Sequence, residues 1–325
     1  MALGPLPSNP LVKAQSPSMT RPMRKLTVPA AGGSLRVFCP AKVNLYLRVL
    51  GRRPDGYHDL LSFMQPLSLV DELTVSPAPP GIFLDCGQPG IPKGPGNLVW
   101  QAALEFQRAA GRKVGVHMVL EKRIPAAAGL GGGSSDAAGA LLALNALNGE
   151  PLTPASLQSL AGGVGADVPF FLGKGAAVAR GTGTELSPLE LPAYWYLLLN
   201  PGVRVSTRWV YENLDLKALK GYKILGERDW DPEQPGTWVH NDLESVTLKQ
   251  YPQLGQLLET LEHLGALARG MSGSGPTLYG LFPSLEAARE AGARLRETFA
   301  GWMAAARGLT GKEAEATWGE QVWMV

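Results

Sequence analysis

The chain is poor in cysteine. Cys39 and Cys86 are the two in 325 residues, too few for a disulfide framework and at no metal-ligand spacing. That usage fits a reducing cytosol. Histidine is sparse as well: His58, His117, His240 and His263 are scattered, with no pair spaced for a metal. No apolar run reaches the about 18 residues needed to span a bilayer, which argues against a membrane protein. A dominant charge sign is missing too. Thirty basic residues face 28 acidic ones, for a net charge of +2, which argues against a dedicated nucleic-acid binder. No internal repeat is evident, and nothing points to an obligate protein partner.

Acid is missing from the beginning of the chain, where the first acidic residue is Asp55. Residues 1–33 are rich in Pro, Ser and Ala and poor in core-forming side chains, so a disordered N-terminal extension is expected. An acid-poor, basic start also fits a transit peptide. Its prolines spoil an amphipathic helix, and no secretory apolar segment follows. The rest is well provisioned for a core, with 45% hydrophobic and 18% charged residues overall. The length suits one large or two ordinary domains.

What is abundant is glycine, and it is concentrated. The run Pro125-Ala-Ala-Ala-Gly-Leu-Gly-Gly-Gly-Ser-Ser-Asp-Ala-Ala138 places Gly129, Gly131, Gly132 and Gly133 within five positions. Glycine lets a backbone take positive φ and approach a ligand closely. Ser134, Ser135 and Asp136 favour a helix start, and a helix start offers unpaired N–H groups to an anion. The run reads as a loop that cradles phosphates and opens a helix. It is not a Walker A loop, because Gly133 stands where a lysine is required, and it lacks the third glycine of the dinucleotide fingerprint. The kinase His-Arg-Asp and Asp-Phe-Gly sets are absent. A plain turn before a buried helix is the competing reading, weakened by the fused Ser-Ser-Asp and the apolar helical face.

Around this loop the pattern is mixed. Val43, Leu45, Leu47 and Val49 alternate like a half-buried strand, with Lys42, Asn44 and Tyr46 on the opposite face. Asn97 can cap a helix that stops at Gly111. Val114 to Leu120 alternates again. Ala137, Ala140, Leu141 and Leu144 share a helical face that ends at Asn148-Gly149. Thr153-Pro154 starts another helix, ended by Gly162-Gly163. Tyr194 to Leu199 reads as a strand, and Leu285, Ala288, Leu295, Phe299 and Trp302 as a late amphipathic helix. Strands and helices in uneven order predict an α+β fold. Asp167, among apolar neighbours, needs a partner or a use.

Three runs in order, Pro40-Ala-Lys-Val-Asn-Leu45, the glycine loop, and Gly270-Met-Ser-Gly-Ser-Gly-Pro-Thr277, resemble the motifs of the GHMP kinases. Gly51-Arg-Arg-Pro-Asp-Gly-Tyr-His-Asp59, Gly165-Ala-Asp-Val-Pro-Phe-Phe171 and Asn241-Asp-Leu-Glu244 narrow the resemblance to one branch, which acts on a cytidine diphosphate-linked methylerythritol in isoprenoid biosynthesis. The similarity runs from about Val37 to Phe282. It implies a ribosomal-protein-S5-like nucleotide domain over 34–190 and a ferredoxin-like domain over 191–325. It implies ATP-dependent, cytoplasmic small-molecule phosphorylation, with Asp167 as the base and Lys42 as the cation. Pro125, Gly129, Gly131, Gly132, Gly133, Ser134 and Ser135 would hold ATP, and Ser134 its Mg²⁺. Asn97 would reach the adenine, although Gly96 replaces an acidic residue often found before it. Asn44 and Gly273 would touch the acceptor, Tyr57 and His58 would grip its cytosine, and Tyr211 or the nearby Trp209 would close the other side. Asp136 reads as a charge favourable to the helix dipole.

Two rivals remain at this level. One is a GHMP kinase for a homoserine- or mevalonate-type acceptor. The other is a catalytically silent member that only binds nucleotide. The Tyr57-His58 pair disfavours the first, and the presence of both Lys42 and Asp167 disfavours the second.

Overall fold

The computed structural model describes residues 33–113, 115–173, 175–219, 225, 230–311 and 323–324. The extension expected over 1–33 lies outside them, Gly33 excepted.

Strands β1 (Leu35–Arg52) and β2 (His58–Pro77) form one long antiparallel hairpin, closed by a turn in which Tyr57 N–H donates to Asp55 Oδ1 at 3.1 Å. Strand β3 (Ile82–Cys86) leads to helix α1 (Leu98–Ala109), where Asn97 Oδ1 accepts from the Val99 N–H at 2.9 Å and so caps the first turn. Strand β4 (Val116–Glu121) pairs with β2 and, in parallel, with β3. Helix α2 (Gly132–Leu147) follows the glycine loop and packs on β1 and α1. Helix α3 (Pro154–Val164) begins at the Thr153 cap. A 3-10 turn at Pro169–Leu172 precedes strands β5 (Ala177–Gly181) and β6 (Glu185–Pro188).

The second half opens with β7 (Trp195–Asn200) and α4 (Thr207–Glu212). Then come β8 (His240–Asn241), α5 (Glu244–Gln250), α6 (Pro252–His263), β9 (Ala268–Met271) and β10 (Leu278–Phe282). Helix α7 (Leu285–Leu295), β11 (Trp302–Arg307) and β12 (Trp323–Met324) complete the described chain.

An eight-stranded sheet has the path β12-β1-β2-β4-β3, with β5 and β8 attached to β2 and β1 and β6 beyond β5. A four-stranded antiparallel sheet runs β11-β7-β10-β9. The first sheet is covered by α1, α2 and α3, and the second by α5, α6 and α7. A third apolar cluster bridges them, joining Tyr46, Phe63 and Leu130 to Tyr196, Leu198 and Tyr279. The expected seam near residue 190 falls between β6 and β7, but β8 and β12 return to the first sheet.

The architecture is α+β, as the mixed pattern predicts, with three local departures. β1 is buried on both faces, because the second half covers its supposed polar side; Lys42, Asn44 and Tyr46 are each at most 5% exposed. α3 runs through Gly162-Gly163 to Val164. The late helix ends at Leu295, and Trp302 instead opens β11, paired with Asn200 on β7. Sheet pairing overrides helical spacing there.

Candidate active site

The glycine loop is locked in place from both sides. Ser272 Oγ donates to Gly129 O at 2.8 Å, and the Thr277 N–H donates to Ala128 O at 3.3 Å. A Cβ on Gly129 would stand 2.3 Å from Ser272 O, so only glycine fits there. Gly131 takes φ 70 and ψ 11 at the N-cap of α2 and supplies no side-chain cap. The helix start therefore has bare backbone on its open side, the arrangement that receives an anion. Gly133 is exposed and Ser134 half-buried at this opening.

β1 brings Lys42 up to the loop. Its N–H donates to Leu130 O at 2.9 Å, stitching the strand to the loop. Lys42 Nζ donates to Asn44 Oδ1 at 2.5 Å and faces Asp167 Oδ2 at 3.5 Å. Asn44 is itself oriented by donating from Nδ2 to Ser62 Oγ at 2.8 Å. Sequence reasoning places Asp167 in apolar surroundings, but its side chain is 41% exposed, against 5% for Lys42. The pair is half open to water, with Asp167 at the surface and Lys42 buried. This leaves a carboxylate open to a ligand, with a cation fixed behind it. Gly273 lies alongside, where an added Cβ would be 3.5 Å from Asn44 Oδ1.

An aromatic pair lies within reach of the Asp167 charge. The rings of His58 and Tyr211 stack with centroids 5.0 Å apart. Burial, then the Asp167 carboxylate, push the Tyr211 phenol up to about 12, so it stays protonated. Burial and the charge of Arg52, its cross-strand neighbour, lower the His58 pKa. Tyr57 sits 68% exposed at the hairpin tip.

Beside the segment that enters the loop is a groove of about 1370 Å³. Lys122, Pro125 and Ala127 line one wall, and Pro201, Arg204 and Trp302 the other.

Three expectations need correction. Ser135 does not face the opening. It points into the core with no exposed surface, and its hydroxyl has no partner among the described residues. Asn97 is consumed by structure: besides capping α1 it donates from Nδ2 to Pro92 O at 2.8 Å, which leaves it poorly placed to read an adenine. Asp136, expected as a charge favourable to the helix dipole, is instead part of a buried ion cluster. It is 1% exposed and accepts from Lys122 Nζ at 2.7 Å. Lys122 also bonds Asp71, and burial with the Asp71 charge raises the Asp136 pKa despite the ammonium.

Sequence patterns do not reveal the residues that brace the site. Ser272 accepts from the Asn44 N–H at 3.3 Å while holding Gly129. Asn241 donates to both Met271 O and Gly273 O at 2.7 Å. Both lie within the motifs named above, but their roles need contacts from distant segments. Lys122 and Asp71 carry no local signal at all.

Comparison with known proteins gives the family and the fold. The model of the GHMP kinases N terminal domain matches residues 97–175, and that of the GHMP kinases C terminal region matches 230–301. The chain is 44% identical over 274 residues to 4-diphosphocytidyl-2-C-methyl-D-erythritol kinase of Geobacter sp. (strain M21), covering 84% of this chain and 98% of that protein. It is 46% identical over 261 residues to the protein of the same name from Syntrophus aciditrophicus (strain SB), covering 79% and 93%. A crystal structure of 4-(cytidine 5'-diphospho)-2C-methyl-D-erythritol kinase superposes with a TM-score of 0.74 at 38% identity, over 84% of this chain and 99% of that one. Homoserine kinase from Cytophaga hutchinsonii superposes at 0.70 with 19% identity, over 92% and 100%, which is a likeness of fold alone.

Proposed function

Because the chain belongs to the GHMP kinases, in the branch of the 4-diphosphocytidyl-2-C-methyl-D-erythritol kinases, we propose that it transfers the γ-phosphoryl group of ATP to the 2-hydroxyl of that cytidylyl substrate. It is an ATP-dependent small-molecule kinase of isoprenoid biosynthesis.

The observation that carries the mechanism is the Lys42–Asp167 pair at 3.5 Å, set against the loop residue Gly131. Phosphoryl transfer asks for positioning and charge stabilisation more than covalent chemistry. Asp167 takes the proton of the acceptor hydroxyl as that oxygen bonds to the γ-phosphorus and ADP departs. Lys42, held by Asn44, stabilises charge on the attacking oxygen and the incoming phosphoryl group. The bare backbone of Gly129, Gly131, Gly132 and Gly133 cradles the nucleotide phosphates, and the adjoining groove has room for the rest of ATP. The opening fits such a group, since Gly133 is exposed and Ser134 half-buried at the start of α2, where Gly131 supplies no side-chain cap.

Mg²⁺ would neutralise phosphate charge, arriving on the nucleotide, with the half-buried hydroxyl of Ser134 at the start of α2 to hold it. Among the described residues, no cluster of three His, Cys, Asp or Glu could hold a metal unaided. Tyr57, His58 and Tyr211 take the cytosine, and Asn44 with Gly273 the methylerythritol end. The domains divide near residue 190. Cytoplasmic residence is supported by two free cysteines and by the described residues, which contain no helix long and apolar enough to cross a membrane.

The test is ADP release by the purified chain with the cytidylyl substrate set against homoserine and mevalonate. Turnover with the cytidylyl substrate alone is expected. Preference for either other alcohol would replace the acceptor assignment, and no turnover with any would favour a silent member of the fold.

A further inference from the structure

We propose that Lys122, clamped between Asp71 and Asp136, positions the phosphate loop and sets its affinity for ATP, its ammonium spent on the two carboxylates rather than on a phosphate. The inference rests on reading the loop as the ATP-phosphate site.

The geometry ties together both ends of the loop. On the entering side, Asp71 Oδ1 accepts from the backbone N–H of Arg123 at 2.5 Å and of Ile124 at 2.8 Å. The next residue, Pro125, has no N–H to offer. On the leaving side, Asp136 stands in the first turns of α2 and accepts from Lys122 Nζ at 2.7 Å. The same ammonium bonds Asp71. One cation on the strand-to-loop segment therefore fixes where the loop begins and where the helix starts. It is also packed against that start, since a Cβ on Gly132 would lie 3.1 Å from Lys122 Nζ. The Lys122 side chain is 4% exposed, its ammonium held by the two carboxylates.

Stability is a poor reason for this cluster. Buried ion groups lose solvation, and apolar replacements are often no less stable. Here two carboxylates share one ammonium, and Asp136 Oδ1 has no hydrogen-bond partner among the described residues. What the cluster provides is a fixed distance between two chain segments, at the place where N–H donors must be aimed. Displacement of a reacting group by about 1 Å costs on the order of 10²-fold in rate.

The test uses the full chain with Asp136→Leu, Asp136→Asn and Lys122→Met, following melting temperature, calorimetric ATP affinity and both KM values. Asp136→Leu leaves a balanced Lys122–Asp71 pair, so a folded protein is expected. It should raise KM for ATP about tenfold or more while KM for the acceptor stays within about twofold. Asp136→Asn keeps an acceptor for Lys122 and should keep ATP affinity near the wild-type value. Lys122→Met leaves two buried carboxylates face to face. If it or Asp136→Leu does not fold, the neutral Asp71→Asn/Lys122→Met/Asp136→Asn variant carries the same expectation of a raised KM for ATP. Wild-type ATP affinity in the folded variants that break the clamp would overturn the proposal. So would equal losses in Asp136→Leu and Asp136→Asn, or parallel rises in both KM values. Failure of the wild-type chain to bind ATP would instead overturn the reading of the loop.

Discussion

Replacing Gly131 by alanine adds one methyl group where the loop turns into α2. The backbone there has φ 70, a left-handed conformation that costs an L-residue about 1–2 kcal/mol. The new Cβ would lie 2.8 Å from Phe171 Cζ, closer than real contacts allow, and a tight 3.0 Å from Lys42 Cγ. Overpacking of this kind costs about 1–3 kcal/mol. Together the two terms reach roughly 2–5 kcal/mol, which at about 2–4 °C per kcal/mol lowers the melting temperature by roughly 4–20 °C. Phe171 is fully buried, so the stem of Lys42 is the softer neighbour. Its ammonium then shifts against Asp167, and kcat should fall by about 10²-fold. Gly133→Ala is the control. It lies in ordinary helical backbone with its nearest atom, Leu98 Cδ1, at 3.7 Å, so melting should hold or rise slightly. Thermal unfolding and initial rates on the two variants decide the matter. A Gly131→Ala protein that melts within about a degree of wild type with kcat within about twofold would refute the claim that loop shape and Lys42 position are mechanically linked.

Further outcomes follow from the other side chains. Asp167→Asn removes the base without changing shape, so kcat should fall about 10²–10⁴-fold while calorimetric ATP affinity stays put; near-normal kcat rules the assignment out. Tyr57→Ala should raise KM for the acceptor alone, by about 1–3 kcal/mol of lost stacking, and CMP should compete with the acceptor; competition only against ATP sinks the cytosine grip. Burial and Arg52 disfavour the His58 cation, so its pKa lies below the ordinary 6.5 and the ring is neutral at pH 7. Acceptor KM should therefore be flat above pH 7 and rise only as acid protonates His58; a rise centred above pH 7 would contradict this.

Local chemistry makes much of the scaffold legible in the sequence. The Asn97 and Thr153 caps, the Asn148-Gly149 stop and the α+β mixture are set by neighbours along the chain, and they stand where the pattern puts them. The glycine loop announces itself because strained, side-chain-free backbone demands glycine at particular positions. The Lys42–Asp167 approach is different in kind. No spacing rule brings together residues 125 apart, so in the sequence the pair rests on resemblance alone. The fold is what brings its side chains to 3.5 Å.

Burial explains where the pattern misleads. The alternation along β1 implies a wet face, yet the second half of the chain covers it, and Lys42 and Asn44 become buried polar groups that must find partners. Ser62, Ser272 and Tyr279 satisfy Asn44, from positions 18 to 235 residues away. The same logic turns Asp136 inward. At a free helix start its charge would favour the dipole from the surface. Under the sheet it must instead meet Lys122, which is reached only because Asp71 on β2 draws that lysine beneath the loop. The residues that hold this site in shape are thus defined by which segments the fold stacks on one another. A side chain that looks idle in the sequence, such as Ser272 between Asn44 and Gly129, becomes the joint through which one half of the molecule fixes the catalytic face of the other.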